Sequence, residues 1–207
     1  MSWQPTPPPF RKFKEQVYLH VAKTSQFIYQ LGETDMVHTK SEEVSLNKIT
    51  STDMKAKIAY LKKCLHDYRK ITGVGRGIAA VQVGITERFA VILMPDAKKE
   101  MLVIINPTIS KKSQKILRFP EACMSGGPIF APVDRPAWIE FSYYDEAGKK
   151  QVWNTKDDTD FGRITNRVFQ HEIDHMDGIL FLDRADIKKL VLESDPAFYA
   201  SAKFEEV

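Results

Sequence analysis

Two histidines separated by three residues are the most informative feature of the sequence. The stretch QHEIDHMDG, residues 170–178, contains HEIDH and so follows the H-E-x-x-H pattern. On a helix, residues four apart project from one face, so His171 and His175 can share one metal ion. Glu172 follows His171 directly, where a carboxylate can handle a proton of a metal-activated water. The pattern therefore predicts a metal-dependent hydrolase.

A metal site of this kind needs a third protein ligand, and the sequence offers more than one candidate. One zinc-peptidase pattern would place a histidine at position 181, which is Phe181. Another uses a downstream glutamate, and Glu193 lies at roughly that separation. Cys123, in FPEACMSGGP, would complete a Cys-His-His set with an open position for water. Such a set can hold Fe(II), Zn(II) or Ni(II), so the ligand types leave the metal open.

The composition fits a globular chain without membrane or nucleic-acid partners. The chain has 207 residues, of which 43% are hydrophobic and 28% charged, and its net charge is +3. This charge is too small to indicate nucleic-acid binding, and no apolar run is long enough to span a membrane. Two cysteines make no disulfide framework and favour a reducing compartment. We expect a cytoplasmic protein, with an organellar matrix as the alternative, since the N-terminus has no apolar signal-peptide core.

The hydrophobic pattern predicts helices on both sides of a strand-rich middle. Residues 52–69 form a predicted helix, with Thr52 or Asp53 as its N-cap. Its apolar stripe consists of Met54, Ile58, Leu61, Leu65 and Tyr68. A second helix, over residues 160–177, would carry the H-E-x-x-H pattern and end at Gly178. Near the C-terminus, IKKLVLE is interpreted as a possible further helix.

Strands are predicted between these helices. Apolar runs over residues 88–94 and 101–109 indicate buried strands, and alternation over residues 137–154 indicates a hairpin. The glycine-rich stretch 73–84 is interpreted as a turn region. This order predicts an α+β fold rather than alternating βαβ units.

The chain is expected to form one catalytic domain over residues 17–207. Residues 1–16 are Pro-rich and then basic, which is typical of a surface arm. Cys64 is interpreted as a small core residue. The remaining histidines are interpreted as ordinary imidazoles: His20, His38 and His66.

Three stretches, taken in order, resemble the peptide deformylase family. GRGIAAVQ at residues 75–82 resembles its glycine-rich first motif, EACMS at residues 121–125 its second, and residues 170–178 its third. Order and spacing agree from about residue 54 to 184. The resemblance implies antiparallel sheets packed around a central helix that carries H-E-x-x-H, with helices at both ends.

The resemblance also implies an activity, the removal of the formyl group from N-terminal N-formylmethionine of nascent polypeptides. One divalent ion per chain, natively Fe(II) with Zn(II) or Ni(II) possible, would be held by Cys123, His171 and His175. Metal-bound hydroxide would attack the formyl carbonyl, with Glu172 as the general acid/base. The amide of Gln82 and the backbone N–H of Met124 would stabilise the oxyanion. The enzyme would be a monomer or homodimer.

The resemblance further implies a set of substrate-binding residues: Gly75, Arg76, Gly77, Phe119, Glu121 and Phe130. Glu121 would help to hold the framework by pairing with Arg135. Three residues depart from the family pattern. Ala122 replaces a glycine, Arg76 replaces an aliphatic pocket residue, and Phe130 replaces an arginine found in many bacterial members. Arg76 and Phe130 motivate one alternative, a deformylase-like metalloenzyme with altered N-acyl preference. A second alternative is a non-catalytic peptide-binding relative, which the loss of Glu172, Gln82 or a metal ligand would indicate, and all of these are present.

Overall fold

Two antiparallel sheets and a central helix define the architecture in a computed structural model, which describes residues 15–94, 100–156, 158–192 and 201–207. The helices are α1 (Glu15–Thr24), α2 (Thr52–Thr72), α3 (Asp160–Met176) and α4 (Phe181–Arg184). The strands are β1 (Gly77–Ala79), β2 (Phe89–Leu93), β3 (Met101–Lys112), β4 (Ile116–Glu121), β5 (Ile129–Pro136), β6 (Ile139–Tyr144), β7 (Lys150–Trp153), β8 (Val191–Leu192) and β9 (Glu205–Glu206).

The larger sheet lies between α2 and α3. Its five strands follow the order β1-β2-β3-β6-β7, with antiparallel neighbours throughout. Because side chains alternate across a strand, Ile78 and Val91 pack with α2 while Ala79 and Ala90 pack with α3. The core therefore has two apolar layers, one on each face of the larger sheet. Phe169 and its apolar neighbours pack α3 against the face that carries Ala79 and Ala90.

The smaller sheet has the order β8-β5-β4-β9. The long β4–β5 pairing runs from Ile116↔Pro136 to Glu121↔Ala131. Cys123 follows β4 by two residues and packs against Val133 of β5 and Phe181 of α4. The smaller sheet thereby carries the second motif to the helix that bears the third.

The α+β class expected from the sequence is confirmed, and the predicted helix over residues 52–69 is α2. Four members of its predicted stripe are fully buried, and Cys64 is buried beside them, as expected for a core residue. The predicted N-cap was wrong by one residue. Ser51 caps the helix, because its side chain accepts a hydrogen bond from the N–H of Met54.

The predicted strands over residues 88–94 and 101–109 are β2 and β3, and the predicted hairpin is β6 and β7. The stretch 73–84, expected to be a turn, also contains the short strand β1. The helix predicted over residues 160–177 is α3. It ends at Met176, and Gly178 adopts the left-handed conformation with φ 75. A Cβ at position 178 would lie 2.5 Å from the carbonyl oxygen of His38, so glycine is required there.

The possible helix in IKKLVLE is wrong. Ile187–Lys189 forms one 3-10 turn, in which the Asp186 side chain accepts from the N–H of Lys188. The chain then becomes β8, which pairs with Ile129 and Phe130 of β5. Backbone pairing with a distant strand outweighs the local helical pattern here.

Two predictions fall largely outside the described residues. The first is the N-terminal arm: its residues 1–14 lie outside the described residues, and its residues 15 and 16 are the first two of α1. Glu193, the alternative third ligand, also lies outside them. Among the described residues, no helix is both long and apolar enough to cross a membrane.

Candidate active site

Helix α3 presents the two histidines of the H-E-x-x-H pattern to Cys123. The helix begins at a Thr159 cap, whose side chain accepts a hydrogen bond from the N–H of Gly162. The two imidazole rings lie edge to face with their centroids 4.8 Å apart. The Sγ of Cys123 is 3.1 Å from Nε2 of His175. One ligand atom from each of the three residues lies within 4.8 Å of the others.

These three residues fit a divalent metal ion. Nδ1 of His171 lies 3.0 Å from a carboxylate oxygen of Glu121, which leaves Nε2 as the nitrogen available to a metal. The donor set of one thiolate and two imidazoles with an open position is that of a catalytic zinc or iron site. Oε2 of Glu172, beside the histidines, is buried without a hydrogen-bond partner among the described protein atoms. Buried polar atoms without partners are rare, so a non-protein group next to this carboxylate would satisfy it.

Glu172 is placed to accept a proton near neutral pH. Its side chain is buried next to the histidines, and burial raises its pKa to about 7. Gly77 of β1 makes this position possible. A Cβ on Gly77 would lie 2.8 Å from Cδ of Glu172, closer than a side chain can approach.

Gln82 is fixed in a 3-10 turn that follows β1. Its Oε1 accepts from the N–H of Ala79 at 2.9 Å, which orients the amide. Its Nε2 lies 3.0 Å from Oγ of Ser125 and 3.4 Å from Sγ of Cys123. The amide N–H groups therefore face the metal-ligand cluster, as an oxyanion donor requires.

Met124 follows the cysteine ligand in a buried 3-10 turn, Met124–Gly126. The side-chain amide of Gln30 donates to the carbonyl of Met124 at 3.1 Å and to the carbonyl of Ile28 at 3.1 Å. This contact spans 94 residues and ties the second motif to the loop after α1. Sequence reasoning missed Gln30, since nothing in its local sequence marks it.

A buried ionic network supports His171. Glu121 accepts two hydrogen bonds from Arg135, at 2.7 and 3.0 Å, so the expected pair is present. Arg167 of α3 adds a third at 2.5 Å, which sequence reasoning missed. Burial alone would raise the pKa of Glu121, but the positive charge of Arg135 and the hydrogen bonds from His171 and Arg135 hold that pKa well below its ordinary value. Both carboxylate oxygens are engaged by protein donors, so this side chain supports the framework more than it contacts a substrate.

Asp174 extends the network along α3. It accepts from Arg135 at 2.6 Å and from Arg184 of α4 at 2.6 and 2.7 Å. Arg135 thus bridges the carboxylate behind His171 and the residue before His175. One guanidinium therefore supports α3 close to both histidines.

A cleft of about 1230 Å³ lies beside the ligand cluster. All six residues predicted to contact substrate line it: Gly75, Arg76, Gly77, Phe119, Glu121 and Phe130. Arg76 is exposed, so its charge reaches solvent. Gly75 has φ 110, and a Cβ there would lie 2.7 Å from Cε of Met124. Ala122 is not in the left-handed region, so alanine carries no strain of that kind.

Two walls of the cleft were not expected from the sequence. Helix α1 contributes His20, Val21 and Thr24, so His20 is a half-buried cleft residue. Residues 202–204 line the cleft from the C-terminal end of the chain. Neither segment shows a motif that would have signalled this placement.

A sequence model of the family described as Polypeptide deformylase matches residues 26–190. The chain belongs to this family. The resemblance found in three motifs is thereby confirmed.

Named relatives and solved structures of the deformylase family agree with this match. The peptide deformylase of Thermosynechococcus vestitus is 39% identical over 132 residues, which cover 62% of this chain and 67% of the relative. That of Treponema pallidum (strain Nichols) is 40% identical over 123 residues, covering 59% and 70%. For the relatives from Synechocystis and Picosynechococcus, the matched part spans 62% and 58% of their length.

The fold is similar to that of solved deformylase structures. A probable peptide deformylase from Synechococcus phage S-SSM7 matches with a TM-score of 0.65 and 31% identity, covering 76% of this chain and 97% of that one. The peptide deformylase from Ehrlichia chaffeensis matches with a TM-score of 0.67 and 26% identity, covering 79% and 89%. The peptide-deformylase-like arrangement of sheets and helices is therefore established for this chain.

Proposed function

We propose that this protein hydrolyses the formyl amide of N-formylmethionyl peptides. The observation that carries the proposal is the convergence of Cys123, His171 and His175 within 4.8 Å, with Glu172 and Gln82 beside them, in a deformylase-family chain. The reaction breaks the C–N bond of the formyl amide and adds water across it. Its products are formate and a free N-terminal amine.

Cys123, His171 and His175 would hold one divalent ion, natively Fe(II), with Zn(II) or Ni(II) able to substitute. When bound, the ion supplies Lewis-acid chemistry, since it lowers the pKa of a water and polarises a carbonyl oxygen. Glu121 keeps the ring of His171 in one tautomer by accepting from Nδ1. Arg135 and Arg167 keep that carboxylate ionised.

Glu172 moves the proton. With a pKa of about 7, its carboxylate can take a proton from the attacking water and then donate it to the departing amine nitrogen. Glu172 is buried at the wall of the cleft, so few solvent molecules compete for this proton. Gly77 leaves the space that this side chain occupies.

Gln82 and the backbone N–H of Met124 stabilise the negative charge that develops on the formyl oxygen. The side-chain amide of Gln82 needs little reorientation during the reaction, because its oxygen already accepts a hydrogen bond from the N–H of Ala79. The side chain of Gln30 fixes the turn that contains Met124 by donating a hydrogen bond to the carbonyl of Met124. Both donors are therefore preorganised by contacts on the side away from the cleft.

The substrates would be new polypeptides whose N-formylmethionine has emerged from the ribosome. The protein would accordingly act in a bacterial-type cytoplasm or an organellar matrix, as a monomer or homodimer. Peptide would enter through the cleft lined by Gly75, Gly77 and Phe130.

Formate release from formyl-Met-Ala-Ser tests the proposal. The assay is anaerobic, uses Fe(II)-loaded protein, and includes acetyl-Met-Ala-Ser as the matched substrate. We expect one formate per free amine from the formyl peptide and little turnover of the acetyl peptide. Arg76 and Phe130, which depart from the family pattern in the cleft, favour a second candidate with altered N-acyl preference. Equal or faster turnover of the acetyl peptide would support that candidate instead.

A further inference from the structure

The C-terminal segment, residues 201–207, is anchored along the edge of β4. Its strand β9 pairs with Leu117 and Arg118, and the N–H of Val207 donates to the carbonyl of Ile116 at 3.2 Å. The ring of Phe204 stacks on Phe119 with centroids 4.5 Å apart and an interplanar angle of 28°. Backbone pairing and an aromatic stack together give this segment a defined position.

This anchoring turns the segment into one wall of the cleft. Ala202, Lys203 and Phe204 all line the cavity that also contains His171 and Glu172. The segment lies beyond residue 190, where the match to the family ends. Its contribution to the cleft is therefore additional to the part of the chain that defines the family.

The charge lining the cleft is unevenly balanced. Two arginines of the lining are engaged by acids, Arg163 by Asp158 at 3.0 Å and Arg167 by Glu121 at 2.5 Å. Arg76 and Lys203 are exposed, and no acidic side chain among the described residues forms an ion pair with either. A further arginine of the lining, Arg69, donates to the carbonyl of Gly75, and the lining acid Asp160 lies 3.5 Å from Arg163. Among the described residues, Arg76 and Lys203 are therefore the lining cations that remain available to a bound molecule.

We propose that residues 201–207 form a specificity wall, and that Lys203 and Arg76 make the cleft prefer N-formylmethionyl peptides with acidic side chains after the methionine. The inference rests on the proposed deformylase function. Exposed cations attract carboxylates weakly, but a peptide bound between them gains from each. Phe204 positions Lys203 by holding the segment against Phe119.

Three matched peptides test the preference: formyl-Met-Ala followed by Glu-Glu, Gln-Gln or Lys-Lys. We expect kcat/KM to fall in that order, with a step of about twofold to fivefold for each charge contact at low salt. The differences should shrink in 0.5 M salt, because charges near the surface are screened. Equal values for the three peptides at low salt would overturn the inference.

Substitutions assign the preference to the two cations. Lys203→Glu and Arg76→Glu should each reduce the Glu-Glu to Lys-Lys ratio of kcat/KM several-fold. Phe204→Ala should reduce the ratio as well, although it leaves both charges in place. Lys112→Glu is the matched control, because this exposed lysine on β3 makes the same change of charge outside the cleft.

The outcomes separate this inference from the function on which it rests. An unchanged ratio in Lys203→Glu and Arg76→Glu, equal to that in Lys112→Glu, would overturn the specificity wall while deformylation itself persists. A protein that releases formate from none of the peptides would contradict the proposed function, and the inference with it. Melting temperatures of the variants show whether each one is folded.

Discussion

The two sides of the candidate site are built differently. Behind the metal ligands, Glu121 and Arg135 are almost fully buried and joined by two hydrogen bonds. Across the cleft, Arg76 and Lys203 are exposed and Phe130 is half-buried. Buried charges must satisfy one another, so the ligand side tolerates little change, whereas exposed side chains act almost independently. Chemistry and substrate choice should therefore respond separately to mutation.

Cys123→Ala should have the largest effect, the loss of metal retention and of turnover. Removal of the thiolate leaves two imidazoles, too few protein ligands for a stable site. Metal analysis after gel filtration measures the loss. Cys64→Ala is the matched control, since it removes a buried thiol of α2, which is not one of the ligands.

Glu193→Ala should behave like the Cys64 control. If instead Cys123→Ala retained one equivalent of metal and Glu193→Ala lost it, the ligand set would be wrong. The protein would then be a metallohydrolase of another class, with Glu193 as its third ligand.

Glu172→Gln should keep the metal and lower kcat by about 10²- to 10⁴-fold, because the amide cannot carry the proton. The replacement is nearly isosteric, so the space beside Gly77 stays filled. Rapid-quench or steady-state formate assays measure the effect. Near-normal turnover in this variant would mean that another group moves the proton.

Gln82→Leu should lower kcat by about 10²- to 10³-fold, with a smaller change in KM, because the lost donor acts on the transition state. The variant also removes the hydrogen bond to Ser125. Ser125→Ala is a useful comparison, because it removes that bond and keeps the amide. A rise in KM with unchanged kcat would show that Gln82 only binds substrate.

Arg135→Ala should destabilise the metal-free protein by about 1.5–3 kcal/mol, since two buried carboxylates lose a charged donor, although Arg167 still pairs with Glu121 and Arg184 with Asp174. Urea denaturation in the presence of chelator measures the free energy of unfolding. Arg118→Ala provides the control, because its pair with Asp134 is solvent-exposed and should contribute little. Similar losses in the two variants would contradict the distinction between buried and exposed ion pairs.

Much of the ligand side could be predicted from the sequence because its signals are local. His171 and His175 are one helical turn apart, and the cap, stripe and glycine of α3 lie within the same stretch. Cys123 required a second motif, since 52 residues separate it from His175. Arg167 escaped prediction because its partner Glu121 lies 46 residues away and only folding brings them together.

The cleft walls could not be predicted for a similar reason. The placement of α1 and of residues 201–207 depends on pairing and stacking with distant elements, such as Phe204 with Phe119. The stretch IKKLVLE was mispredicted for the same reason, because β8 forms only by pairing with the distant strand β5. Secondary-structure propensity can be judged from one segment alone, whereas the lining of a cleft depends on which distant segments come into contact.

Anaerobic titration of the metal-free protein with Fe(II) tests the central claim most directly. Formate release from formyl-Met-Ala-Ser and bound metal are measured in the same samples. We predict that activity rises linearly and stops at one ion per chain, and that Cys123→Ala shows neither binding nor activity. Formate release that is independent of added metal, or full activity in Cys123→Ala, would contradict the account.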